Sequence, residues 1–104
     1  MRLRRIGVVT MNIRLHIDPV TGQPHIYDHG VTEEEVREVL GRPGEDRAGS
    51  EDSRVAIGQT VAGRNLKVIY VRDPSGDGVF VITAYDLTGK PLKAYRRRQR
   101  RKRR

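Results

Sequence analysis

Four side chains in this sequence are of types that move protons or steady negative charge: His25, His29, Arg64 and Tyr85. His25 and His29 stand four apart, which on a helix puts both imidazoles on one face at the spacing of metal ligands. A metalloprotease would need Glu directly after the first His, and Ile26 stands there; a third ligand would have to be His16 or Asp28. No metal and no cofactor is therefore expected. Better uses for the pair are a capping or packing role for His29 beside Gly30, or acid–base and phosphate contacts for either imidazole. Arg64 opens an apolar stretch, where a rigidly held guanidinium suits a phosphate; pairing with Glu45, Asp46, Glu51 or Asp52 accounts for it equally well. Tyr85 ends an apolar run just before Asp86, so its hydroxyl belongs at the rim of a sheet, and a core tyrosine with a satisfied hydroxyl is the plainer alternative.

The second chemical signal is charge. The 104 residues carry a net charge of +8, and eight of the nine residues from Arg96 to Arg104 are basic, leaving 13 basic against 13 acidic in the rest. A block of like charge repels itself and stays solvated unless a polyanion condenses on it. Nucleic acid is the obvious polyanion, bound without sequence preference as arginines displace counterions from phosphates. Tyr95, Arg96, Arg97, Arg98, Arg100, Arg101, Lys102, Arg103 and Arg104 are the candidate nucleic-acid contacts; a merely solubilising tail is the alternative. No apolar helical face accompanies the charge, so a membrane is not an expected partner.

Other chemistries drop out. Zero cysteines exclude disulfide frameworks, zinc fingers, iron–sulfur sites and thiol nucleophiles, and are compatible with the expected cytoplasmic location. Asp73, Ser75 and Asp77 resemble the start of a calcium loop, but Ala84 occupies the position of the closing glutamate. Gly58 to Arg64 lacks the Lys-Ser/Thr ending of a phosphate loop. The apolar stretch Ile6–Met11 is too short for a signal peptide core, and no run of about 18 apolar residues could span a bilayer.

The elements that must position these groups follow from periodicity. Residues 1–11 read as a disordered leader, with Met11 an alternative first residue, residues 12–95 as one domain and 96–104 as a basic tail. Ile13, Leu15 and Ile17 alternate with Arg14 and His16, as a half-buried strand requires. Pro24 to His29 suits a short helical turn stopped by Gly30. Thr32 and Glu35 form a capping box, Val31 and Val36 a hydrophobic staple, and Gly41 with Pro43 ends the helix they start. Gly44 to Asp52 reads as a surface loop. Strands are expected over Arg54–Thr60, Asn65–Arg72 and Val79–Leu87, the last two apolar on both faces and therefore central. Pro91 can open a last helix with Leu92 and Tyr95 facing the core. The expected class is α+β: a small, twisted, mostly antiparallel sheet with helices on one side and a basic C-terminal helix or tail.

The stretches HGVTEEEVREVL, IGQTVAGRNLKVIYV and VFVITAYDL, followed by a basic segment with Tyr95, resemble the BrnT-like toxins of the RelE-like ribonuclease group, small proteins of bacterial type II toxin–antitoxin modules. The resemblance covers His25 to Arg98. It implies a RelE/BrnT-like fold, metal-independent cleavage of RNA (mRNA, free or on the ribosome), and inhibition by a cognate antitoxin protein. On the matching positions it implies roles for His29, Arg64, Tyr95, Arg96 and Arg97. Where such toxins commonly place Arg in the late strand, this chain has Tyr85. In the expected chemistry an RNA 2′-hydroxyl attacks the adjacent phosphate, with Arg64 on the phosphorane, His29 or His25 moving protons, Tyr85 orienting and Arg96–Arg98 holding the backbone. A non-catalytic nucleic-acid or ribosome-associated binding module is the alternative from a different class.

Overall fold

The structure, a computed structural model, describes residues 11–102. Most of the expected leader, residues 1–10, and the last two basic residues, Arg103 and Arg104, lie outside the described residues. The elements run β1 (Asn12–Leu15), a 3₁₀ turn (His25–His29), α1 (Glu33–Gly41), β2 (Glu45–Ala48), β3 (Arg54–Gln59), β4 (Asn65–Arg72), β5 (Gly78–Asp86) and α2 (Gly89–Lys102). The five strands form one sheet in the order β1-β5-β4-β3-β2. β1 runs parallel to β5 and the other three pairs are antiparallel, so the sheet is mixed.

Local chemistry explains the first helices. The 3₁₀ turn stops at Gly30, whose φ of 69° is a left-handed conformation that costs a residue without a side chain little. At α1 the Glu35 N–H donates to Thr32 Oγ1 at 3.2 Å and the Thr32 N–H to Glu35 Oε1 at 3.0 Å, completing the capping box. Val31 and Val36 are both buried beneath it. The capping reading of the sequence holds here residue for residue.

Three expectations change. Gly44–Asp52 is not all loop, because Glu45–Ala48 pairs antiparallel with β3 from Glu45 opposite Ile57 to Ala48 opposite Arg54. A strand of Glu-Asp-Arg-Ala has no apolar alternation to betray it; it is an edge strand, where charged side chains are the rule. β1 ends at Leu15, and Ile17 is 48% exposed rather than continuing the buried stripe of Ile13. The helices do not share one side of the sheet. Val36 and Val39 of α1 pack with Ala56, Leu66, Val68 and Val81 on one face, whereas Leu92 and Tyr95 of α2 pack with Val55, Ile57 and Ile69 on the other. A strand that is apolar on both faces needs two covers, and β3 and β4 are such strands.

One irregularity decides which side chains meet. Ile69 pairs with Thr83 but Tyr70 pairs with Val81, so Ile82 is an extra residue in β5, a β-bulge. The bulge shifts the alternation by one: Val79, Val81 and Ala84 face α1, and Thr83 and Tyr85 turn to the α2 face.

The helix α2 continues through Lys102, so the basic segment is helical well past the point where a solvated tail was expected. What holds it is contact every third or fourth residue. Below Tyr95, the Arg98 guanidinium donates to Glu45 (Nη2 to Oε1, 2.9 Å), and Gln99 Nε2 and Lys102 Nζ each donate to the Gly44 carbonyl at 3.1 Å. Helix and chain approach closely here, since a Cβ on Gly44 would stand 1.9 Å from the Tyr95 hydroxyl. Gly44→Ala is therefore expected to lower stability by about 1–3 kcal/mol through overpacking, read from the urea midpoint; an unchanged midpoint would contradict the docking of α2 at Gly44.

Candidate functional site

All three histidines gather on the α2 face of the sheet, where α2 leaves β5 and β1 uncovered. His16 follows β1; His25 and His29 come from the 3₁₀ turn, which the backbone bond from His25 N–H to the His16 carbonyl (2.9 Å) ties back against the strand. Ring centroids lie 6.1 Å apart for His16 and His25, 5.2 Å for His25 and His29, and 5.8 Å for His29 and Tyr85. These four, with Ile82 and Thr83, line a shallow groove. The Thr83 hydroxyl in it is shielded from solvent and has no hydrogen-bond partner among the described residues.

Lys67 completes the group. It pairs with Tyr85 across β4 and β5, and its Nζ lies 6.0 Å from the centre of the Tyr85 ring. Arg14 stands over the Phe80 ring at 5.4 Å farther along the same face. The cluster therefore holds imidazoles for proton transfer, a phenol for orientation and an ammonium for a developing negative charge. Sequence reading singled out His25, His29 and Tyr85, weighed His16 only as a possible third metal ligand, and passed over Lys67. The signal for Lys67 was present only as position: it directly faces Tyr85, a pairing set beside the bulge at Ile82.

Arg64 lies elsewhere. It falls on the α1 face of β4 with Leu66, and all three guanidinium nitrogens are engaged. Nε donates to Asp86 Oδ1 at 2.7 Å and Nη2 to Asp86 Oδ2 at 3.1 Å; Nη1 donates to the Gly30 carbonyl at 2.8 Å and to Glu35 Oε1 at 2.9 Å. Nη2 also reaches the His29 carbonyl at 3.4 Å. The pairing alternative is the one realised, with Glu35 and Asp86 as partners in place of Glu45, Asp46, Glu51 or Asp52. With its donors spent on carboxylates and carbonyls, this guanidinium is a brace for the site and not a phosphate contact.

The electrostatics agree. The Thr32 backbone N–H, helped by Arg64, holds the Glu35 carboxyl below the usual carboxylate range, and the Arg64 guanidinium does the same for Asp86. In return both carboxylates hold Arg64 more firmly protonated.

The basic helix divides along its length. Tyr95 is buried in the core, and Arg98 and Lys102 are engaged with Glu45 and Gly44, so these three anchor the helix. Arg96, Arg97, Arg100 and Arg101 are exposed on its outward side. Arg96 and Arg100 line a second groove with Gln59 and Asn65, at the end of the sheet where β3 turns into β4.

The chain matches no family model, no curated protein and no solved structure. Among the described residues no helix is long and apolar enough to cross a membrane.

The Arg64 network makes an acid-stability prediction. Glu35 and Asp86 have lowered folded values against ordinary ones of 4.5 and 3.8, so their contribution is present above those values and is lost as pH falls through the lowered ones. Arg64→Met should cost about 1–2 kcal/mol at pH 7, discounted for the 47% exposure of the Asp86 side chain. The gap from wild type should close between pH 4.5 and strongly acidic pH; a gap in urea midpoint that stays constant down to pH 2 would show that the network is not what Arg64 supplies.

Proposed function

We propose that this protein is a metal-independent RNA endonuclease of the toxin type, acting on messenger RNA free or on the ribosome and held in check by a cognate antitoxin protein. The observation that carries the reading is the convergence of His25, His29, Tyr85 and Lys67 on an uncovered strip of sheet beside an arginine-rich helix. The resemblance of the sequence to BrnT-like toxins supports it, and a RelE/BrnT-like arrangement of sheet and helices is part of the same proposal.

In this reading the exposed arginines Arg96, Arg97, Arg100 and Arg101 hold the RNA backbone by its phosphates. His29, nearest Tyr85, accepts the proton of a 2′-hydroxyl; the 2′ oxygen bonds to phosphorus; the bond from phosphorus to the 5′ oxygen breaks, and His25 returns a proton to that oxygen. The products are a 2′,3′-cyclic phosphate and a 5′-hydroxyl. Lys67 takes the place first given to Arg64, neutralising the phosphorane, and the Tyr85 hydroxyl orients a phosphate oxygen. Proton transfer of this kind contributes about 10²- to 10⁴-fold, and a placed charge a comparable factor.

The clamping of Arg64 favours a second reading, in which the domain binds nucleic acid without cutting it, because the cation best suited to a phosphorane is committed elsewhere. Incubation of labelled messenger RNA with the purified protein in excess EDTA, with and without ribosomes, separates the two. Cleavage that falls about 10²-fold or more in His29→Ala and Lys67→Ala, and survives in folded Arg64→Met, is the expected result; binding with no cleavage in the wild type would leave the second reading. In either case, replacing Arg96, Arg97, Arg100 and Arg101 by Ala should lower the slope of log affinity against log salt by about 3, four lost phosphate contacts at roughly 0.7 each on single strands. An unchanged slope would take the helix out of the interface.

A further inference from the structure

At the outer rim of the histidine cluster, His25 turns Nδ1 toward two carboxylates at ion-pair distance: it lies 3.5 Å from Asp28 Oδ2 and 3.8 Å from Asp18 Oδ2. One ligand atom from each of the three residues falls within 4.8 Å of the others. Both His25 distances are ion-pair separations, and they run slightly longer than the edge of a coordination tetrahedron, about 3.3–3.4 Å for metal–ligand distances near 2.0–2.1 Å. We propose that Asp18, His25 and Asp28 form a site for a divalent metal of the zinc class, with the fourth position open.

The segment is built to hold these atoms in place. The Asp18 N–H donates to the Gln23 carbonyl and the His25 N–H to the His16 carbonyl, both at 2.9 Å, closing the loop that carries the first two ligands. Asp18 Oδ1 accepts from the Val20 N–H at 2.8 Å, which leaves Oδ2 to face His25. Asp28 comes from the same 3₁₀ turn as His25, one turn on. The mixed imidazole and carboxylate donors select zinc-like ions over magnesium or calcium, which take oxygen ligands. With His16 and His29 alongside, a metal here lies at the mouth of the groove, where it can accept an anionic ligand in its open position. The site shares His25 with the RNA reading, and a metal held there would withdraw that imidazole from proton transfer; binding itself is defined by the three ligands and needs no nucleic acid.

The test is titration of tag-free protein with Zn²⁺ by calorimetry, in a buffer that does not chelate, without RNA. One equivalent should bind, with affinity at least about tenfold weaker in Asp18→Asn, Asp28→Asn and His25→Ala, and changed less than about threefold in His29→Ala. Excess Mg²⁺ should not compete. Because Asp28→Asn alters only an exposed side chain at the end of the segment, it keeps the test valid if His25→Ala unfolds. No stoichiometric heat in the wild type, or binding retained by both Asn variants and lost in His29→Ala, would overturn the proposal.

Discussion

The site depends on where Arg64 spends its donors. Its side chain links three elements distant in sequence: the end of the 3₁₀ turn through the His29 and Gly30 carbonyls, the first turn of α1 through Glu35, and the end of β5 through Asp86. His29 and Tyr85 are the immediate neighbours of two of those anchor points, Gly30 and Asp86. The guanidinium on one face thus sets the spacing of an imidazole and a phenol on the other. A planar fork with five N–H groups can hold a carboxylate and a carbonyl at fixed angles together, which an ammonium on a flexible stem cannot.

Around that brace the sheet works as a partition. Its α1 face carries the main core, with the buried side chains of β1, β3, β4 and β5 under α1 and the 3₁₀ turn. Its other face is covered only in part, by an α2 helix that sits over β3 and β4 and leaves β5 and β1 open. Sheet alternation then assigns roles: inward positions of β4 and β5 build the core, and outward ones, Lys67, Thr83 and Tyr85, furnish the groove. The helix that covers half of this face also carries the positive charge. Glu45 is central to its docking, and the Arg98 guanidinium in turn holds the Glu45 carboxyl below the usual range. The pairing neutralises one arginine and leaves a row of others pointing outward, so the same helix serves as cover and as electrostatic surface.

Much of this was legible in the residues. The capping box at Thr32 and Glu35, the left-handed stop at Gly30 and the central strands β4 and β5 depend on interactions within a few residues or on strong periodicity, and each stands where the sequence placed it. The strand β2 was not legible, because Glu45, Asp46, Arg47 and Ala48 pair through their backbone and their side chains carry no burial pattern. The last helix, with Leu92 and Tyr95 toward the core, was legible as well, but not that it covers the opposite face of the sheet from α1; apolar residues on both faces of β4 demand two covers without saying which helix takes which.

By itself the sequence determined the turns, caps and most strands, the neutral body with its basic end, and the chemical kinds present: imidazoles, a phenol, arginines and no thiol. The tertiary structure alone decided who meets whom. One extra residue at Ile82 reversed the alternation of β5 and set Tyr85 beside Lys67 and His29, while Arg64, one strand-face away, was drawn to Glu35 and Asp86. Side-chain direction in a strand has a period of two, so a single inserted residue exchanges the faces, and no local preference in the sequence registers the exchange.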